Sequence, residues 1–74
     1  MSQLPRISGR EVVAALRKIG YVFDHQRSSH IVLRQTDPPH RRLTVPDHDE
    51  VANGTLRANL RLAGLSVEEF EALL

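Results

Sequence analysis

A histidine after a short turn is the residue with the clearest capacity for chemistry. His30 follows the segment Arg27-Ser28-Ser29 and precedes the apolar run Ile31-Val32-Leu33. Because a histidine side chain ordinarily has a pKa of about 6.5, it can accept a proton as a general base near neutral pH. Most histidines on strands are ordinary surface residues, however. Whether His30 is a general base or an ordinary surface residue must therefore be judged from the residues that share its face.

Length and composition limit the possible functions. The 74 residues predict one domain, 1–74, with a core too small for a large cofactor. The absence of cysteine excludes disulfides, thiolate zinc sites and cysteine nucleophiles, and fits a reducing compartment. No apolar stretch has membrane-spanning length, and the N-terminus lacks the pattern of a signal peptide. We expect a cytoplasmic protein without a membrane segment.

The charges divide unevenly along the chain. Residues 1–46 carry eight basic and three acidic side chains, whereas the remainder is acidic on balance. Nine of the ten cations are arginine, whose planar guanidinium binds phosphate in a bidentate way. Codon preference explains the choice of arginine over lysine equally well. The clustering of positive charge in one part of the chain favours a phosphate-bearing or acidic partner.

Three helices and three strands are predicted from pattern and end signals. Ser8 and Glu11 form a capping-box pattern, and an apolar stripe leads from Val12 to a stop at Gly20. Alternation predicts strands in the segments 21–26 and 31–34, and a third strand, 41–45, lies between a proline-containing turn at 37–40 and Pro46. A second helix is predicted from Gly54 to Gly64. A second capping box, at Ser66 and Glu69, begins a short C-terminal helix. Its apolar positions are Val67, Phe70 and Leu74.

The loop between the first two strands determines the direction of His30. A two-residue Ser28-Ser29 turn would mix apolar and charged residues on both faces of the sheet. We therefore expect the three-residue loop 27–29, with Gln26 opposite His30. Tyr21 and Phe23 then lie on the core face, and His25 lies there or at its edge. The opposite, polar face receives His30 together with Asp24, Gln26, Val32, Arg34, Arg42 and Thr44.

Asp24 and the other histidines are further candidates for a role at the site. Asp24 is placed diagonally to His30, so it either orients the imidazole or is simply a solvated strand carboxylate, and the second is the commoner case. Four histidines, His25, His30, His40 and His48, lack the spacing of known metal sites. We therefore predict neither a metal nor a cofactor.

The element order predicts an α+β fold. A helix, three antiparallel strands and a helix form the α-β-β-β-α order of the double-stranded-RNA-binding fold, with both helices on one face of the sheet and the short C-terminal helix added. Fold order alone does not specify function.

A family resemblance makes the prediction more specific. It is carried by the segments Ser8-Gly9-Arg10-Glu11-Val12, Gly20-Tyr21, Arg27-Ser28-Ser29-His30, Thr44-Val45-Pro46-Asp47-His48, Gly54-Thr55-Leu56 and Gly64-Leu65. In these segments the chain resembles the HicA (YcfA-like) toxin family. The resemblance implies a small mRNA interferase that a HicB-type antitoxin neutralises by direct binding. The catalytic histidine of the family's Gly-Ser-His motif falls on His30, and Ser28 stands where the family has glycine. If that position needs a positive φ, serine costs about 1 kcal/mol or slightly more.

Elementary chemistry is consistent with this interpretation. RNA carries its own nucleophile, the 2′-hydroxyl, so one base and nearby cations can suffice without a metal. We hypothesise that neutral His30 takes the 2′-hydroxyl proton and that Arg34 or Arg42 stabilises charge developing on the phosphate. A water or a second residue protonates the leaving oxygen, and the product ends in a 2′,3′-cyclic phosphate. The remaining expected RNA contacts are Arg27, Ser29, Arg10 and Lys18.

Two other function classes stay open at this point. The first is an RNA-binding module without catalysis, which would hold phosphates on the same basic surface. The second is a basic protein-interaction domain with an acidic partner. Because Tyr21 and Phe23 are assigned to the core, no aromatic platform for base stacking is predicted.

Overall fold

The computed structural model describes residues 4–74 and has the predicted order of elements. They are α1 (Gly9–Arg17), β1 (Tyr21–Arg27), β2 (His30–Gln35), β3 (Arg42–Pro46), α2 (Asn53–Ala63) and α3 (Val67–Glu71). The strands form one antiparallel sheet in the order β1-β2-β3. The predicted α-β-β-β-α class with an additional C-terminal helix is confirmed, with β3 shifted by one residue. None of the helices among residues 4–74 has the length and apolar character needed to cross a membrane.

Both predicted capping boxes are present. The Ser8 hydroxyl accepts the Glu11 amide at 3.2 Å, and the Glu11 carboxylate accepts the Ser8 amide at 3.1 Å. Ser66 and Glu69 repeat the arrangement at α3, where the Ser66 backbone and side-chain hydrogen bonds lower the pKa of Glu69. Helix α2 ends at Gly64 with φ of 74°, a conformation that favours glycine.

The core lies between the helices and one face of the sheet. From the strands it receives Tyr21, Ile31, Leu33, Leu43 and Val45. The helices and loops contribute Ile7, Val12, Ala15, Leu16, Val51, Leu56, Leu60 and Phe70. Since buried and accessible positions alternate along β2 and β3, the helices cover only one face of the sheet. The uncovered face is called the open face below.

The β1–β2 connection differs from the prediction. The turn contains two residues, Ser28 and Ser29, and His30 pairs with Arg27 instead of Gln26. A bulge at Asp24 then shifts the register, so Phe23 still pairs with Leu33. The prediction of a three-residue loop was wrong because it assumed one regular register along the whole hairpin. The bulge combines the tight turn with an apolar face further along the strands.

The bulge also redistributes the side chains of β1. His25 pairs with Val32 and lies on the open face, contrary to the prediction, whereas Gln26 pairs with Ile31 on the helix-covered side. Phe23 does lie on the helix-covered side, but it is 56% exposed because β1 is an edge strand that α1 covers incompletely. Ile19 and Leu74, which were predicted in apolar stripes, are exposed as well.

Candidate catalytic face

The open face begins with His30, the first residue of β2. His30 is exposed, and its neighbours Ile31 and Leu33 are buried on the opposite side of the sheet. This alternation confirms that the imidazole lies on the face away from the helices. Across the strands, His30 pairs with Arg27 of β1 on one side and with Pro46 of β3 on the other.

A shallow groove lies at the turn end of this face. It is lined by His30, Thr44, Pro46, His48, Ala52 and Thr55. Two histidines and two threonines therefore line one solvent-accessible space. Helix α2 begins at the edge of the groove, where its Ala52 cap supplies no side-chain hydrogen bond to the first turn.

Backbone contacts hold the two histidine-bearing segments in place. The Asp47 amide donates to the Ser29 carbonyl at 2.6 Å and joins the end of β3 to the hairpin turn. The Gly9 amide donates to the His48 carbonyl at 2.9 Å. A Cβ added at Gly9 would overlap the Pro46 carbonyl oxygen, so this close approach of α1 requires glycine. The fold thus fixes the backbone on both sides of the groove.

The Asp47 side chain also links the loop after β3 to α1 and to β1. Its carboxylate accepts Arg10 Nε at 3.2 Å and Nη2 at 3.4 Å, and it accepts Gln26 Nε2 at 3.3 Å. The hydrogen bond and charge of Arg10 lower the pKa of Asp47, with smaller contributions from Gln26 and from the nearby charge of His48. Asp47 therefore stays ionised at neutral pH.

The imidazole rings of His30 and His48 are available to a substrate. Throughout residues 4–74, neither ring has a hydrogen-bond or ion-pair partner. Asp24 bonds His25 Nδ1 at 3.0 Å and lies 3.7 and 4.0 Å from the Nε atoms of Arg42 and Arg34. The contacts of Asp24 thus include three side chains of the open face but not His30, so the structure gives no support for an orienting role.

The predicted RNA-contacting residues fall into three groups. Arg27 and Ser29 adjoin His30 at the turn end, and Arg27 has no partner within the described part of the chain. Arg34 and Arg42 pair at the far end of the open face, about 13 Å from His30 at the usual strand rise. Arg10 and Lys18 belong to α1 or its cap, on the covered side, where Lys18 donates to the Leu73 carbonyl at 2.6 Å.

The four histidines do not assemble into one cluster. His30 and His48 share the groove, while His25 bonds Asp24 and His40 lies in the β2–β3 turn near the Gln35 carbonyl. Across residues 4–74 no group of three or more histidine and carboxylate side chains could hold a metal ion.

Sequence reasoning assigned no chemistry to His48. The available signal was its position two residues beyond the third strand, since antiparallel pairing brings the end of that strand opposite the start of the second. Using this signal requires the correct register, which the structure supplies through the His30–Pro46 pair.

Comparison with known proteins places this geometry in context. A family model described as the HicA toxin of bacterial toxin-antitoxin matches residues 9–65, which is more than half of the chain and includes all three strands, α1 and α2. None of the curated proteins compared with the chain matches it.

Proposed function

Since the chain belongs to the HicA toxin family, we propose that it is a metal-independent endoribonuclease that cleaves mRNA in the cytoplasm, with His30 as the general base. The observation that carries the proposal is the state of His30. Its imidazole is exposed, has no partner in residues 4–74, and lies beside an unpaired arginine on a face free of helices. A base with this access can approach an extended RNA strand.

The proposed reaction starts with transfer of the 2′-hydroxyl proton to neutral His30. The resulting 2′-oxygen attacks the adjacent phosphorus, the bond from phosphorus to the 5′-oxygen breaks, and a water or a second residue gives that oxygen a proton. The products are a 2′,3′-cyclic phosphate and a 5′-hydroxyl. A positioned general base typically contributes about 10²- to 10⁴-fold in rate.

The arginines of the open face then have distinct roles. Arg27, directly opposite His30, is placed to neutralise the scissile phosphate. The hypothesis that Arg34 or Arg42 does so requires a reach of about 13 Å along the sheet, longer than one arginine side chain. We therefore assign Arg34 and Arg42 to a neighbouring phosphate. Asp24 partly neutralises this second pair.

The partner proposed for this toxin is a HicB-type antitoxin. Family membership implies an antitoxin in general. A protein inhibitor that covers the open face would shield His30 and neutralise the exposed arginines together. An acidic surface is the complementary chemistry for this role.

The experiment is cleavage of a defined RNA by the purified protein in excess EDTA, with an all-deoxy strand of the same sequence as control. We expect RNA products ending in 2′,3′-cyclic phosphate and no cutting of the deoxy strand. Cleavage of the deoxy strand, or complete dependence on added divalent metal, contradicts the mechanism. RNA binding without cleavage instead supports the non-catalytic binding module.

A further inference from the structure

We propose that His48 is the general acid that protonates the 5′-oxygen leaving group while His30 acts as the base. This inference rests on the proposed ribonuclease function and extends it to a second catalytic residue. It assigns a role to a side chain of the β3–α2 loop that lies in the same groove as His30.

The geometry brings two histidines from different segments to the lining of one small groove. His30 opens β2, its cross-strand partner is Pro46, and His48 follows two residues later. The Asp47–Ser29 and Gly9–His48 backbone hydrogen bonds restrain the loop relative to the hairpin. Because in-line attack uses a base and a separate acid, two histidines from different segments that line one groove suit the reaction.

The other groups that line or flank the groove are poorer acids. The Arg27 guanidinium does not release its proton in proteins. Thr44 and Thr55 have hydroxyl groups that are far less acidic than an imidazolium. His25 is bonded to Asp24 further along β1. Within the described residues, His48 is therefore the best placed group that can both donate a proton and recover it near neutral pH.

The loop that carries His48 is rich in carboxylates. The ionised Asp47 precedes it, Asp49 and Glu50 follow it in the same loop, and α2 has no acidic residue in its first turn. The opposing cations are Arg10, which is paired with Asp47, and His30 across the groove. His30, by contrast, has Arg27 as its cross-strand neighbour.

The proton balance of the step is closed. Neutral His30 gains the 2′-hydroxyl proton, the 2′-oxygen forms a bond to phosphorus, and the bond to the 5′-oxygen breaks. Protonated His48 gives its proton to that oxygen, which leaves as an alcohol. The enzyme then holds a protonated His30 and a neutral His48, and proton exchange with water restores the starting state.

A modified RNA distinguishes a general acid from a residue that is needed only for structure. It carries sulfur in place of the 5′-oxygen at the mapped cleavage site. A thiol has a pKa of about 8.5, so a thiolate leaves without protonation. We expect His48→Ala to lower cleavage of ordinary RNA by about 10²- to 10⁴-fold. On the sulfur substrate the same variant should cleave at close to the wild-type rate. His30→Ala should be slow on both substrates.

Controls make each outcome decisive. His40→Asn removes an exposed histidine outside the groove at a positive φ that asparagine tolerates, and it should match the wild type on both substrates. Thermal unfolding of His48→Ala and His48→Gln verifies that both variants fold. Equal loss by His48→Ala on both substrates, or normal cleavage of ordinary RNA, overturns the assignment of the acid while leaving the ribonuclease intact. Failure of the wild type to cleave RNA overturns the proposed function itself, and the His48 assignment with it.

Discussion

The two faces of the sheet differ in what they contribute to the protein. On the covered face, Ile31, Leu33, Leu43 and Val45 are at most 6% exposed and pack against the helices. On the open face, the residues between them include His30, Arg34, Arg42 and Thr44, which water or a ligand can reach. The same two strands therefore supply most of the sheet's core contacts on one side and its candidate chemistry on the other.

This separation has a physical origin in the period of a strand. Successive side chains point to opposite faces, so one residue can be selected for packing and the next for chemistry without a shared contact. Substitutions on the covered face should change stability, and substitutions on the open face should change RNA handling. The following predictions test that separation, starting with the largest expected effect.

Leu33→Ala should produce the largest loss of stability. Leu33 is fully buried, and removing a buried leucine side chain costs about 2–5 kcal/mol. A chain of this length has roughly 4–11 kcal/mol in total. Val32→Ala, one residue away on the open face, should cost about 1 kcal/mol or less. Urea unfolding of both variants measures the difference, and equal losses would break the comparison between the faces.

Arg27→Ala should weaken RNA binding while leaving stability unchanged. Removing one phosphate contact should lower affinity about three- to tenfold at physiological salt and reduce the slope of log affinity against log salt by about 0.7. Arg57→Ala, an exposed arginine on α2, is the matched control and should change neither quantity. A salt titration of RNA binding that gives the same slope for Arg27→Ala and the wild type would remove Arg27 from the RNA-contacting face.

Asp24→Asn should strengthen RNA binding, the opposite of the effect expected for Arg27→Ala. Its carboxylate lies between Arg34 and Arg42, so removing the negative charge raises the positive potential at the far end of the open face. We expect RNA affinity to rise about two- to fivefold, the scale of an exposed charge pair. The cleavage rate at saturating RNA should not change, because the contacts of Asp24 do not include His30. A large fall in this rate would restore an orienting role for Asp24.

The pH dependence of stability should include a contribution from Asp47. Its folded-state pKa is lowered, first by the hydrogen bond from Arg10, so the unfolded state binds the proton more readily. This contribution is fully present above the ordinary aspartate pKa of about 3.9 and is lost as the pH falls through the lower folded value. In Asp47→Asn, the free energy of unfolding should therefore fall less steeply as the pH drops below about 4. An unchanged acid profile for Asp47→Asn would contradict this assignment.

Much of the scaffold was predictable from sequence because its signals are local. The capping boxes at Ser8 and Ser66 and the glycine at Gly64 define helix ends through contacts within a few residues. His30 lies on the predicted polar face although the three-residue loop used to place it was wrong, because the alternation of β2 alone gives the same result. These features depend on backbone periods and on nearby side chains, which the sequence displays directly.

The rest depends on contacts between distant segments. The bulge at Asp24 reconciles a tight turn with an apolar face, and no local pattern marks it. Ser28 adopts a φ of 56°, so the turn does need the positive φ that glycine supplies most easily. The proximity of His48 to His30 follows from pairing of β2 with β3 and from the Asp47–Ser29 bond. Such placement emerges only when the register is known.

The most direct test of the central claim compares wild type and His30→Ala on one defined RNA in excess EDTA, with unfolding measured for both. The account predicts that the variant cleaves about 10²- to 10⁴-fold more slowly while its free energy of unfolding stays within about 0.5 kcal/mol of the wild type. Cleavage by a folded His30→Ala at the wild-type rate would contradict the assignment of His30 as the base.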